Sequence, residues 1–372
     1  MASRILITGG AGFIGSHLAD ELLQCGYEVR VLDCLNEQVH GKKARRPDYL
    51  ASEVELLTGD VRNSHFLDRA LHGVDSVVHL AASVGVGQSM YQIASYTDVN
   101  CTGTAELLES MARRPVKRLV VASSMSIYGE GLYRAQDGRI FDRIERPVSQ
   151  LRQRVWDVFG PEGEVLQPIP TPETKFPLLP SVYALSKYYQ ERCCLAVAAA
   201  YGTSVAALRF FNVVGTRQAL SNPYTGVLAI FASRILNGRP PLVNEDGNQI
   251  RDFVYVKDVA RACRLALEKE EVTQSVFNIG SGQRYKIKDV AVQIAEALGR
   301  SDIAPEITGK YRIGDIRNCF ADITLARAVL KFKPSYSLQD ALSEMAPWLE
   351  EQTAEDRVAV AAAELDRRGL TV

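Results

Sequence analysis

The first third of the chain alternates short aliphatic runs with longer stretches of helical period. Arg4-Ile5-Leu6-Ile7-Thr8 is apolar without alternation, the pattern of a strand buried on both faces. A helical stretch from Ser16 to about Cys25 follows, Gly26 ends it, and Glu28–Asp33 reads as the second strand. Val54–Leu57, Ser76–Leu80 and Arg118–Ala122 continue the series, with a helix around Asn100 to Met111. This βαβ succession predicts an α/β fold, a Rossmann-type doubly wound parallel sheet with ligands at the carboxyl ends of its strands. Past residue 207 the grain changes to short strands and helices split by Pro and Gly, as in Asn237-Gly238-Arg239-Pro240-Pro241. A smaller C-terminal α/β substrate domain fits that pattern. The expected division is 1–207 for the first domain, with an insertion at about 132–170 and a returning segment at about 253–270. The second domain spans 208–348. A helical extension occupies 349–372, where Val358, Ala361, Ala362 and Leu365 form a weak apolar face.

The strand ends carry the chemistry. Gly9, Gly12 and Gly15 follow the first strand at GxxGxxG spacing, with Phe13 and Ile14 opening the next helix. Glycines there permit a tight turn and close backbone approach to a pyrophosphate, which the helix N-terminus attracts. Asp33 ends the second strand, where a carboxylate accepts from ribose hydroxyls and repels a 2′-phosphate. That favours NAD over NADP. Tyr183 and Lys187 lie one helical turn apart on one face. An ammonium beside a phenol favours the phenolate, so Tyr183 is expected to act as a base near neutrality.

Composition adds little against this reading. The chain has 372 residues, 47% hydrophobic and 23% charged, with net charge −1, so neither nucleic acid nor an anionic membrane is an expected partner. Seven cysteines without CxxC spacing read as buried thiols of a reducing compartment, and five scattered histidines suggest no metal site. A strand starting by Arg4 leaves no room for a signal peptide, and no apolar run reaches membrane-spanning length. The expected location is the cytoplasm.

Taken together, Thr8–Gly15, Gly59-Asp60-Val61, His79-Leu80-Ala81-Ala82, Asn100 with Gly103-Thr104, Ser123-Ser124, Tyr183 with Lys187, Arg209–Asn212, Arg251–Val254 and Arg312–Asp315 resemble the extended short-chain dehydrogenases/reductases. The resemblance covers roughly residues 3 to 345 and is strongest to nucleotide-sugar 4-epimerases of the dTDP-L-rhamnose 4-epimerase and UDP-glucose 4-epimerase type. It implies that Asp60 and Val61 border the adenine, that Leu80, Ala81 and Ala82 let the cofactor pass, and that Lys187 also holds the nicotinamide ribose. Asn100 would support the active-site helix, and His79 would merely fill a strand position. The implied reaction is transient oxidation at C4: Tyr183 takes the hydroxyl proton, with Ser124 as donor and relay, while hydride passes to NAD and returns to the other face.

Dehydratases of this kind carry Thr-Asp-Glu where this chain has Ser124-Met125-Ser126, which disfavours loss of water and decarboxylation. Ser126 then touches the sugar or fills the core. By the same resemblance Arg251, Arg312 and Asn212 hold the diphosphate, and Asp315 accepts from the nucleotide ribose. Leu242 and Asn244 run along the base, and Cys319 lines the sugar pocket or is simply a buried strand residue. Asn212 leans toward a neutral hexose or 6-deoxyhexose on dTDP or UDP. A keto-sugar reductase or dehydrogenase, and a silent NAD-binding protein, are the competing readings. The 132–170 insertion is compatible with a lid, a longer sugar pocket or a surface loop, and carries no cysteines to suggest zinc. A homodimer through the Tyr183 helix and the Leu107-Leu108 helix is expected, unless those apolar faces pack on the chain's own sheet. The C-terminal extension would pack on that dimer or fray.

Overall fold

The structure, a computed structural model, describes residues 3–41, 45–224, 226–352 and 355–371. Its central sheet has seven strands: β1 (Arg4–Thr8), β2 (Glu28–Asp33), β3 (Glu55–Thr58), β4 (Ser76–His79), β5 (Arg118–Ser124), β6 (Ser204–Phe210) and β7 (Ser275–Ile279). They are all parallel, in the order β3-β2-β1-β4-β5-β6-β7. The order reverses between β1 and β4, and this opens a crevice at their carboxyl ends.

Alternate residues of the same apolar runs feed two cores, as the strand period of two requires. Ile5, Ile7, Val29, Val31 and Val78 pack under α1 (Phe13–Gln24), while Leu6, Leu32, Val77 and Val121 pack under α2 (Gly103–Arg113) and α3 (Val182–Tyr201). The first face is completed by α4 (Val256–Glu268).

Several boundaries differ from expectation. Helix α1 starts at Phe13 rather than Ser16, because Gly12 is already its extended N-cap. Strand β5 continues past Ala122 to Ser124. The division at 207 falls inside β6, and the returning segment reaches beyond 270 to β7, which pairs with Ala206–Phe210 on β6's outer edge.

The second domain is a set of small sheets around a helical core. Asn212–Val214 runs parallel to Phe253–Tyr255, and Leu242–Val243 to Glu306–Ile307. Ile250–Arg251 lies between Tyr285–Lys286 and Asn318–Cys319. The insertion folds as an antiparallel three-stranded sheet, with Leu132–Arg134 between Ile140–Phe141 and Gln167–Ile169, over a small core of Tyr133, Val158 and Leu166.

Buried charges join the insertion to the second domain. Arg146 donates to Glu130 at 3.2 Å and to Glu245 at 3.0 Å, and Arg317 donates to Glu245 at 2.8 Å. Glu130 also accepts from the backbone N–H groups of Arg317 and Asn318. A surface-loop reading of the insertion is therefore displaced by a docked subdomain.

The cysteines also depart from a uniform buried set. Cys194, Cys263 and Cys319 are buried, but Cys25 and Cys34 are exposed, the first at the end of α1 and the second just past β2. Among the described residues, no helix is long and apolar enough to cross a membrane.

Candidate active site

The glycine turn fits closely into the crevice. A Cβ on Gly9, which has φ +70°, would lie 2.8 Å from the Ala81 backbone, and one on Gly15 would lie 2.5 Å from Gly10 Cα. Gly12 is different: a Cβ there meets only Gly9 O, at 3.4 Å. Its missing side chain therefore leaves space toward the cleft rather than serving the protein's own packing. The helix behind it has no side-chain cap and no acidic residue in its first turn, so its amides are open to an anion.

Asp33 closes this turn from the side. It accepts from Ala11 N at 3.0 Å and Leu35 N at 2.9 Å, and His40 Nε2 stands 3.8 Å from the same carboxylate. Spare lone pairs remain for hydroxyl donors. Asp60 instead accepts from Arg62 through both oxygens, at 2.6 and 3.0 Å, which holds its carboxyl below the usual range. Val61 is buried against Gly103. Leu80, Ala81 and Ala82 line the end of β4, with Leu80 N bonded to Thr8 O.

Helix α3 brings the Tyr/Lys pair to the same mouth. Ser181 caps it, accepting from Ala184 N at 3.1 Å, and Gly202 ends it in the left-handed region. The first turn is fixed further by Ser89 Oγ, which accepts from Tyr183 N at 3.0 Å. Asn100, in a π-helical turn, donates to Ser186 Oγ at 2.8 Å and to Ser83 O at 3.1 Å, and accepts from Ser83 N. It thus ties the loop after β4 to α3, as a support for the helix.

Ser124 at the end of β5 faces the Tyr183 phenol and lowers its pKa, and the Tyr96 ring packs edge-on against that phenol, 6.5 Å between centroids. Ser126 Oγ donates to Ser124 Oγ at 2.8 Å. Ser124 thus accepts from one side and has its own proton for the phenol. Burial pushes Tyr183 up to about 12, eased only by Ser124, and Lys187 is not among the groups that shift it.

The Lys187 ammonium donates instead to Gln190 Oε1 at 2.8 Å, and burial pulls it down to about 8. Gln190 is anchored by Thr104 Oγ1 at 2.8 Å and by His79, whose other nitrogen meets Thr8 Oγ1 at 2.7 Å. His79 is held down to about 3 by burial and is neutral. It is a linker in this network rather than a mere filler. Gln190 and Ser89 went unread in the sequence, and Thr104 entered only as part of the Asn100 motif, with no role given to it. Only Gln190 carried a signal, its i+3 spacing from Lys187.

The second domain contributes the opposite wall. Arg251 and Cys319 are register partners on adjacent strands. The Arg251 guanidinium rests on the carbonyls of Ile250, Ile316 and Arg317, with no carboxylate bonded to it among the described residues. Cys319 is buried beside Thr171, 3.8 Å away, in one cluster with Met125, Ile127 and Phe211, which joins the Ser124 turn to this strand. Asn212 donates to Asp252 O at 2.9 Å.

Arg312 and Asp315 are paired with each other at 2.6 Å, and Arg312 Nε is buried without a partner. Leu242 and Asn244 belong to the separate Leu242–Ile307 sheet, Asn244 accepting from Thr308 at 3.3 Å. No bond joins that pair to Arg251 or Cys319 among the described residues.

Known proteins match this chain along most of its length. The NAD dependent epimerase/dehydratase family model matches residues 5–146 and 157–280, more than half of the chain. The chain belongs to this family. A dTDP-L-rhamnose 4-epimerase of Burkholderia thailandensis is 35% identical over 353 residues, covering 94% of this chain and 95% of that one. Among solved structures, the UDP-glucose 4-epimerase of Thermotoga maritima, crystallised with UDP-glucose, is 31% identical with a TM-score of 0.75, covering 94% of this chain and 99% of that one. The Thermus thermophilus UDP-glucose 4-epimerase, crystallised with NAD, is 30% identical with a TM-score of 0.73, covering 94% of this chain and 100% of that one. The expected family and the Rossmann-type fold are both borne out.

Proposed function

We propose that this protein is an NAD-dependent nucleotide-sugar 4-epimerase acting on a dTDP- or UDP-linked hexose or 6-deoxyhexose. The observation that carries it is the placing of Ser124, held by Ser126, against the Tyr183 phenol at the crevice mouth, beside a glycine turn whose Gly12 leaves room for a bound pyrophosphate. A bound NAD would supply the hydride acceptor and donor for C4, and its positive charge would favour the phenolate of Tyr183. The chain's residues do the rest. Tyr183 takes and returns the hydroxyl proton, Ser124 donates to the reacting oxygen, and Lys187, fixed by Gln190, holds the cofactor ribose.

Gly9, Gly12, Phe13, Ile14 and Gly15 cradle the pyrophosphate, with Asp33 on the ribose and Asp60 and Val61 at the adenine. Arg251, Asn212 and Arg312 hold the substrate diphosphate, and Asp315 its ribose. Met125 and Ser126 offer no carboxylate to eliminate water, which supports epimerisation over dehydration.

The exposed Leu185 and Tyr189 on α3 support a homodimer through that helix, while its other face, with Cys194, Leu195 and Ala198, packs on the chain's own sheet. Cytoplasmic residence follows from the substrate class. The test is incubation of the purified protein with UDP-glucose, UDP-N-acetylglucosamine and dTDP-L-rhamnose, with product stereochemistry followed by proton NMR. The expected result is inversion at C4 without net change in NAD. Net cofactor consumption would instead identify a reductase or dehydrogenase.

A further inference from the structure

Residues 355–371 are pinned to the rest of the chain at both ends. At its start, Asp356 pairs with Arg234 at 3.4 Å and Arg239 at 3.0 Å, and Glu355 N donates to Ser221 Oγ at 3.0 Å. Helix α5 (Val358–Arg367) then crosses to the turn that bears Arg312. At its end, Leu370 O accepts from Ile313 N at 2.9 Å, and Thr371 pairs antiparallel with Arg312.

The last turn of α5 reaches the active-site wall. A Cβ placed on Gly87 would lie 3.5 Å from a Leu365 methyl and 3.6 Å from Arg312 Nη1. Leu365 is buried there, and the Arg368 guanidinium sits 4.5 Å over the Tyr91 ring. The same short helix, Val86–Ser89, supplies the Ser89 hydroxyl that holds Tyr183 N. One helical turn therefore touches the proposed base on one side and the C-terminal segment on the other. The Arg312 turn needs such support. Gly314 has φ +87°, and Arg312 Nε is buried with no acceptor among the described residues, so one guanidinium donor is open to a further partner.

We propose that residues 355–371 form a clasp on the substrate site, in which Leu365 and the Leu370–Thr371 pairing hold Arg312 against Gly87 in position for the diphosphate of a nucleoside diphosphate-linked substrate. This rests on the epimerase reading. The clasp acts by preorganisation: a turn already ordered loses less freedom when the anion binds. Leu365 is a positioning residue, since it reaches the ligand only through Arg312.

The test uses the full-length, NAD-loaded protein with dTDP and UDP as probes in titration calorimetry. Leu365→Asp is expected to weaken whichever nucleotide binds by about tenfold or more, with bound NAD and the melting temperature of the first domain unchanged. Leu365→Met is expected to restore binding to within about twofold. With a turned-over substrate, the loss falls on KM, and kcat stays within about threefold. Equal binding by Leu365→Asp and the parent overturns the clasp while leaving the epimerase reading intact. A parent that binds neither nucleotide removes the epimerase reading, and the clasp with it. Should Leu365→Asp fail to fold, hydrogen exchange on the parent decides. Added nucleotide is expected to slow exchange at Ile313 and across 358–371, and unchanged exchange there overturns the proposal.

Discussion

Gly12 and Gly15 show how one residue type does two jobs three positions apart. Gly15 cannot accept a methyl group without moving Gly10, whereas Gly12 can. Gly15→Ala is therefore expected to lower stability by several kcal/mol, roughly the cost of forced overpacking plus backbone shift. Gly12→Ala is expected to fold normally but lose NAD during purification, which absorbance of the released nucleotide measures. At the proposed base, Tyr183→Phe removes one oxygen and keeps the ring against Tyr96. Isomerisation is expected to fall by at least about a thousandfold, as for loss of an essential acid–base group, while NAD stays bound. Retained isomerisation in that variant would sink the mechanism. The Tyr/Lys spacing was legible in the sequence, but the direction of the Lys187 ammonium was not. Gln190 captures it, and Gln190 is oriented by Thr104 and His79 from two other elements.

At the level of elements, the sheet and its turns were readable because each strand is a contiguous apolar run. The insertion was not, because its fold depends on charges rather than periodicity. Glu130 collects Arg146, Tyr133 and two backbone N–H groups in a buried site. Removing one member of such a buried set leaves the others uncompensated. Glu130→Ala is expected to cost about 3–5 kcal/mol by chemical denaturation. It should also expose Arg139 and Arg143 of the insertion to trypsin, and an unchanged cleavage pattern would mean that the network does not hold the subdomain. Cys319 and Arg251 illustrate the same limit from another side. Their lateral pairing brings together residues 68 positions apart, which no local pattern announces.

For the whole molecule, two buried histidines link folding to pH. Burial holds His79 down to about 3 and His17 to about 4, so both are neutral in the fold. In the unfolded chain each has an ordinary value near 6.5, so unfolding takes up protons as the pH falls below that. Stability is fully present above about 6.5 and is lost toward the folded values. From pH 7 to 5 each histidine is expected to remove up to about 2 kcal/mol. Urea titrations at the two pH values measure this, and His79→Asn should delete that residue's share of the slope. His17 also donates to Thr216 O from 199 positions away, a bond that the charged ring would keep, so the cost of protonating it comes from burial and the nearby Arg217 charge. From the sequence alone came the parallel sheet, the nucleotide turn and the Tyr/Lys helix, because each is written in residues a few positions apart. The tertiary structure alone decided the Lys187 partner, the docking of the insertion and the course of the C-terminal segment. Those depend on hydrogen bonds and ion pairs between distant residues, and such contacts leave no periodic trace along a chain.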